Sequence, residues 1–351
     1  MNPINGRQTT CLFLVVLIGW SLTMTAKNGR DGWLILMIAC LFSLLFAALC
    51  CIPSERMPAV RWFDLPRTAF GNGFGTIYLL LLTALAFWSC HISILNSVVF
   101  LRTVSGGQWP IWLLTAALLF CAACTAQNGI QKLVLWTEPV LWVVVIALAV
   151  SLLLSWRQLD WSQLLPIWED GGADVPWRAY LLISAPFGEV FYAAAILGNQ
   201  GTQIRTGLLR ACVLAGVLLS LLYIRNICLL GPNGAAAVLY PSYTAASVLE
   251  FGESFQRGEV LISGSLIVCA VARLALILEF LSGCLQAATG HGSEKRIIWI
   301  AATLAGILCV LFAGSNQAFA YAQELYQIVF LPFALAAAVA LAIGIGIKTK
   351  S

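Results

Sequence analysis

Charge is scarce in this chain of 351 residues: Asp, Glu, Lys and Arg together make up 10%, against about a quarter in an ordinary soluble domain. Histidine is scarcer still, with His91 and His291 far apart in sequence. No HExxH, GxSxG, phosphate-cradling glycine loop or pair of aspartates on a helix is present. The clustered catalytic set that an intramembrane enzyme displays at one membrane face is therefore missing. The chain reads as a non-enzyme with no cofactor and no metal site. Long polar connections are also lacking. The longest, 53–73, 156–178 and 231–258, are too short for a separate soluble domain, so residues 1–351 read as one membrane-embedded unit.

What is present is apolar surface, 61% of residues, more than any soluble core requires. Apolar stretches recur along the whole chain, and many reach the ~20 residues that cross a ~30 Å hydrocarbon layer. The predicted spans are 9–26, 32–52, 74–101, 109–126, 133–155, 179–198, 206–230, 259–288, 297–314 and 320–347. They give ten crossings of an all-α polytopic membrane protein.

With the N-terminus inside, Arg7, Arg56, Arg61, Arg67, Lys132, Arg205, Arg210, Lys295, Arg296, Lys348 and Lys350 are cytoplasmic. Outside fall only Lys27, Arg30, Arg102, Arg157, Arg178 and Arg257, while Arg225 and Arg273 lie within spans. This bias puts both termini in the cytoplasm. The net charge of +4 thus reflects loop asymmetry rather than nucleic-acid binding. Trp33, Trp109, Trp156, Trp177 and Trp299, near predicted helix ends, suit an interfacial belt.

The twelve cysteines are scattered inside apolar segments, as with Cys50, Cys51, Cys90, Cys212 and Cys269, and read as small packing residues. The one CxxC, Cys121 to Cys124, lies in an apolar helix without a second ligand pair, which argues against zinc or redox chemistry. Arg7 followed by an apolar run from Cys11 has the outline of a secretion signal. However, Thr23, Met24, Thr25 and Ala26 make a poor cleavage site, and cleavage would remove the first span. Spans one to five, about 9–155, and six to ten, about 179–347, form two blocks of odd helix count. Odd counts give the blocks opposite topology, so an inverted repeat is geometrically possible.

At 1.5 Å per residue, depth sorts the intramembrane charges. Arg225 lies about 30 Å along its helix from Arg205 and is expected to snorkel to the outer interface. Glu138 and Glu279 approach the inner surface and Glu324 the outer, so each reads as a solvated helix end. Glu189 lies roughly 16 Å from Arg178, close to the midplane. Arg273 and His91 are also deep. A charge at that depth costs about 3 kcal/mol or more, so it faces a bundle interior, a partner or a watery cavity. Two readings stand for Glu189 and Arg273, a ligand or ion site and a structural ion pair. His91 reads as a ligand contact or a hydrogen-bonded packing residue.

Glu189 belongs to Pro186-Phe187-Gly188-Glu189 in the middle of an apolar span. Proline removes a backbone donor, glycine eases unwinding, and the helix is expected to break there. Broken backbone at membrane depth is tolerated where it lines a cavity. The N-terminus of the second half-helix would offer N–H groups and partial positive charge to a carboxylate. In the first block, Gly19-Trp20-Ser21 is the nearest thing to a break, with Ser21 and Thr23 able to hydrogen-bond a ligand or a freed carbonyl. Close helix packing explains Gly19 equally well.

Several ordered motifs accompany these features. They are Asp31-Gly32-Trp33 opening helix two, the Pro186 to Glu189 break, Arg225-Asn226 followed by Gly231, and Tyr240-Pro241-Ser242-Tyr243 followed by Gln256-Arg257-Gly258-Glu259. With ten crossings in about 350 residues, the chain resembles the B subunit of spore-germination receptors, the GerAB family within the amino acid, polyamine and organocation permease superfamily. The resemblance covers nearly the whole chain and is most specific from Arg225 to Glu259.

It implies a LeuT-like permease fold of five plus five inverted helices, with helices one and six broken. It also implies a spore inner-membrane subunit that senses small germinants such as amino acids, partnered by an A subunit and a lipoprotein C subunit. By that analogy the ligand contacts Gly19, Trp20, Ser21, Pro186, Phe187, Gly188 and Glu189, with helices three, eight and ten completing the pocket. Arg273 occupies a helix that contributes an ion site in sodium-coupled relatives, so a fixed cation there would replace sodium. Family members commonly continue the helix-one glycine into a leucine-rich stretch ending in proline, which Ser21-Leu22-Thr23-Met24-Thr25 lacks, and this leaves the ligand's identity open. A secondary amino-acid transporter on the same fold needs the same pocket, and a structural or channel-like subunit is a third reading.

Overall fold

The computed structural model describes residues 3–20, 29–167, 172–201, 203–248, 258–290, 292–312 and 316–349. Among these residues the chain is almost entirely helical, with one isolated parallel bridge between Ile4 and Gly201. That follows from the solvent the composition demands, because in lipid every backbone N–H and C=O needs a partner within its own segment. Among the described residues, eight helical stretches are long and apolar enough to cross a bilayer. Two shorter apolar helices, Gly6–Gly19 (α1) and Ile111–Ala126 (α4), occupy the places of the expected first and fourth crossings.

α1 starts where a capping box dictates. The Gln8 N–H donates to Asn5 Oδ1 at 2.8 Å, and the Asn5 N–H donates to Gln8 Oε1 at 3.1 Å. It ends at Gly19 after 14 residues, about 21 Å, which is short of the hydrocarbon thickness. Ser21 and Thr23 lie outside the described residues. Gly32–Arg56 forms α2 and Leu65–Val104 forms α3, which turns at Gly71, where φ is +81°. Ile130–Ser155 is α5, and the expected sixth span is divided into Val175–Ser184 (α6) and Val190–Leu197 (α7). Ile204–Ala237 is α8, which turns at Gly231-Pro232 before Pro241–Ser247 (α9). Gly258–Thr289 (α10), Glu294–Phe312 (α11) and Asn316–Lys348 (α12) complete the order.

Burial sorts the helices into centre and periphery. The core stretch of α6–α7 is 83% buried and that of α10 is 72% buried, against 28% for α5. α10 packs most extensively on α3, and α1 threads between α8, α10 and α5. The α1–α8 approach is close because a Cβ at Gly207 would meet the Gly6 carbonyl oxygen at 2.6 Å, a contact only glycine avoids.

The expectation for Arg225 is overturned. Arg225 does not snorkel but is buried, with 1% of its surface exposed. Its Nη2 donates to Asn226 Oδ1 at 2.8 Å and to the Ser242 carbonyl at 3.0 Å, and its Nη1 donates to the Ser151 hydroxyl. The Asn226 amide in turn donates to Ser242 Oγ at 2.9 Å. The turn at Gly231 folds α9 back over the bundle end and supplies acceptors inside that a lone helix would seek at the interface. Replacing Asn226 with alanine should therefore cost about 1.5–3 kcal/mol, the loss of hydrogen bonds to a buried charge. Thermal unfolding in detergent will read this as a lowered midpoint.

Of the carboxylates expected at helix ends, Glu324 is exposed, and Glu138 is half-buried and pairs with Arg7 at 2.9 Å. Glu279 is half-buried instead of solvated, because one carboxylate oxygen is enclosed without a hydrogen-bond partner.

Candidate functional site

The break in the sixth span is local chemistry made visible. α6 ends at Ser184, Ala185 is extended, Pro186 cannot continue the hydrogen-bond ladder, and Phe187–Glu189 make one tight turn before α7. Gly188 fits because Phe330 from α12 lies over it. A Cβ there would stand 2.8 Å from the Phe330 ring and 3.2 Å from the Ile183 carbonyl. That geometry holds Glu189 against Arg273 of α10.

Glu189 is 0% exposed and Arg273 2% exposed. The Arg273 Nε donates to Oε1 and Oε2 of Glu189 at 2.9 and 3.0 Å, and Nη2 lies 2.8 Å from Oε1. The guanidinium carbon stands 3.7 Å from the ring centre of Trp20, the residue that closes α1, giving a cation–π contact in an enclosed site. Both charges are thus neutralised within the bundle, the only arrangement in which they persist at that depth.

Trp20 lies parallel to Tyr326 of α12 at 6.4 Å between ring centres. Tyr326 donates to Ser89 Oγ at 3.0 Å, Ser89 Oγ and Tyr192 Oη are 2.6 Å apart, and Ser89 donates to the Leu85 carbonyl at 3.0 Å. One serine on α3 thus joins α7 to α12 with all its hydrogen-bonding capacity used. Along the same face of α3, one and two turns on, Ser93 Oγ and both side-chain polar atoms of Asn96 are buried without hydrogen-bond partners. Such atoms are costly, about 1–3 kcal/mol each. Ser184, at the end of α6, has an unpartnered hydroxyl as well.

The structure therefore brings Trp20, Glu189 and Arg273 into contact. Pro186, Phe187 and Gly188 form the turn behind them, and a Cβ at Gly19 would meet the α10 backbone at Cys269, 3.2 Å away. Ser21 falls outside the described residues. His91 is not part of this group: it is half-buried and faces Phe312 of α11, with ring centres 6.2 Å apart. Ser89, Tyr192, Tyr326, Ser93 and Asn96 were missed by sequence reasoning. The spacing 89, 93, 96 is a polar helical stripe inside an apolar span, a signal that could have found three of them. Among the described residues there is no group of three metal-ligating side chains, and all twelve cysteines are free.

Comparison with known proteins agrees with this architecture. The chain is similar over 291 residues, at 24% identity, to spore germination protein XB of Bacillus anthracis, covering 81% of this chain and 79% of that protein. In fold it resembles the manganese transporter of Eremococcus coleocola (17% identity, TM-score 0.66, 95% of this chain and 78% of that one). It also resembles MhsT in complex with L-phenylalanine (11%, 0.67, 98% and 96%) and a substrate-bound, Na+-coupled sialic acid symporter (13%, 0.63, 94% and 77%). These neighbours share the LeuT-like transporter fold, and they are transporters rather than enzymes. A family model described as spore germination protein matches residues 4–318, and the chain is therefore an integral, multi-pass membrane protein belonging to the spore germination protein family.

Proposed function

We propose that this chain is the germinant-sensing subunit of a spore germination receptor, and that its ligand is a small zwitterion such as an amino acid, bound where Glu189 meets Arg273. The observation that carries the reading is the fully buried ion pair at a broken helix, roofed by Trp20. A zwitterion offers an ammonium to Glu189 and a carboxylate to Arg273, so the two side chains exchange partners and neither charge is stranded. A ligand with one charge would leave one of them unpaired in a low-dielectric site, which is strongly disfavoured. Ligand binding then shifts the equilibrium between the closed, paired state and an open one. Ser184, Ser93 and Asn96 would supply the neutral polar contacts. Gly19, Ser21, Pro186, Phe187 and Gly188 would shape the pocket, and His91 would serve packing only.

The family match and the Bacillus anthracis relative support a receptor that works with A and C subunits in the spore inner membrane. The excess of basic residues in the connections assigned to the inside supports cytoplasmic termini. The two five-span blocks would form inverted repeats within one domain. The fold neighbours favour one alternative, a secondary transporter that carries the same ligand across the membrane.

The test is germination of spores carrying this chain, in sodium-free medium, against free amino acids and their N-acetyl and methyl-ester derivatives. The expected result is a response to at least one free amino acid and none to either of its derivatives, undiminished without sodium because Arg273 supplies the fixed cation. A derivative as potent as its parent would rule out the partner exchange. Uptake of the labelled ligand by proteoliposomes of the chain alone would favour the transporter.

A further inference from the structure

We infer that the groove between α1, α2 and α8 is a binding site for an anionic phospholipid. The groove encloses about 910 Å³ and is built from two helical stripes, Arg7-Thr10-Cys11-Leu14 on α1 and Thr206-Leu209-Arg210-Val213-Leu214 on α8, with Leu45 of α2 and Leu141 of α5 at its flanks. Polarity changes sharply along it. Both arginines lie within the first two turns of their helices, and beyond them the lining is almost wholly apolar. From Arg7 to Leu14 the groove descends about 10 Å, from headgroup depth into the acyl region.

Its walls face lipid, since Leu45, Val213 and Leu214 are 70%, 44% and 51% exposed. Its floor is closed. The Thr10 hydroxyl donates to the Gly6 carbonyl at 2.9 Å and lies 3.0 Å from the Gly207 carbonyl, stitching α1 to α8. An occupant must therefore lie along the groove from the bilayer side, with an apolar tail below and a polar head above.

Charge selects the head. Arg7 is neutralised by Glu138 at 2.9 Å, whereas Arg210 is exposed and makes no ion pair among the described residues. One uncompensated guanidinium at headgroup depth matches the single negative charge of a phosphodiester. A zwitterionic lipid brings its own cation and gains less. A lipid held this way bridges the start of α1 to α8, and α1 carries Trp20 at its other end, so bound lipid holds Trp20's helix in place.

Native mass spectrometry of the full-length chain, offered equal phosphatidylglycerol and phosphatidylcholine, tests the site. The expected result is preferential retention of phosphatidylglycerol. Arg210→Gln should reduce it about fivefold, the worth of one basic contact at a membrane surface, and Arg210→Lys should preserve it. Leu214→Trp, which fills the apolar part, should lower retention of both lipids while the protein stays monodisperse.

An unchanged preference in Arg210→Gln, or undiminished retention of both lipids in Leu214→Trp, would overturn the site. Displacement of the lipid by soluble glycerophosphoglycerol at equal concentration would show a bare anion site and overturn it also. A photo-crosslinker at position 213 should label lipid in the assembled receptor. Labelling of another polypeptide there instead would mean that the groove docks a partner helix and would overturn the lipid reading.

Discussion

Arg273→Met should abolish the response to ligand and lower stability by about 3–5 kcal/mol, because it leaves the Glu189 carboxylate buried and unpaired. Glu189→Gln alone should cost a similar amount, because the buried guanidinium loses its counter-charge and cannot shed its own, although a neutral amide still accepts from the Arg273 Nε. The informative variant is the double one, Glu189→Gln with Arg273→Met. With both charges gone, no ion is stranded in the bundle, and most of the lost stability should return. The ligand response should not return, because neither half of a zwitterion then finds a charged partner. Thermal unfolding in detergent and germination assays at matched protein abundance separate these effects. A double variant that regains stability and responds normally would establish the pair as structural only and move the ligand site elsewhere.

A comparably large effect is expected at the turn before Glu189. Gly188→Leu drives a side chain toward the Phe330 ring, whose edge already lies 2.8 Å from where a Cβ would stand. Phe330 cannot swing aside freely, because Tyr326 and Tyr192 pack against it with ring centres 5.2 and 5.7 Å away. Overpacking of this kind costs about 1–3 kcal/mol and shifts backbone. Here the backbone that shifts is the one that aims Glu189. The expected outcome is a lost or altered amino-acid profile at normal abundance. Gly188→Ala should be intermediate, and trimming the ring in Gly188→Ala with Phe330→Leu should restore much of the response. An unchanged profile in Gly188→Leu would make the break a purely structural feature.

The helices were legible in the sequence because lipid leaves the backbone no alternative to internal hydrogen bonding. The break at Pro186-Phe187-Gly188 was legible for a related reason, that proline lacks the donor the ladder needs, and it fell within α6–α7 as expected. Depth along a helix also flagged Glu189 and Arg273. The same ruler misled for Arg225, since distance along one helix says nothing about a segment folding back over its end. Ser242, on α9, supplies an acceptor that a depth argument cannot anticipate. His91 was flagged by depth as well, and only packing revealed that it turns toward Phe312, away from the central pair.

By itself, then, the sequence determined the solvent of this protein, its helical class, the position of its broken span and which residues carry charge inside the membrane. Each of these depends on residues close together along one segment. Tertiary structure alone decided that Arg273 meets Glu189 beneath Trp20, that Ser89 joins Tyr192 to Tyr326, and that Arg7 and Arg210 share one groove. Those partners come from helices far apart in sequence, as with Ser89 and Tyr326, 237 residues apart. Which faces of two helices meet is set by close-packed contact along their whole length, a property that neither helix carries alone.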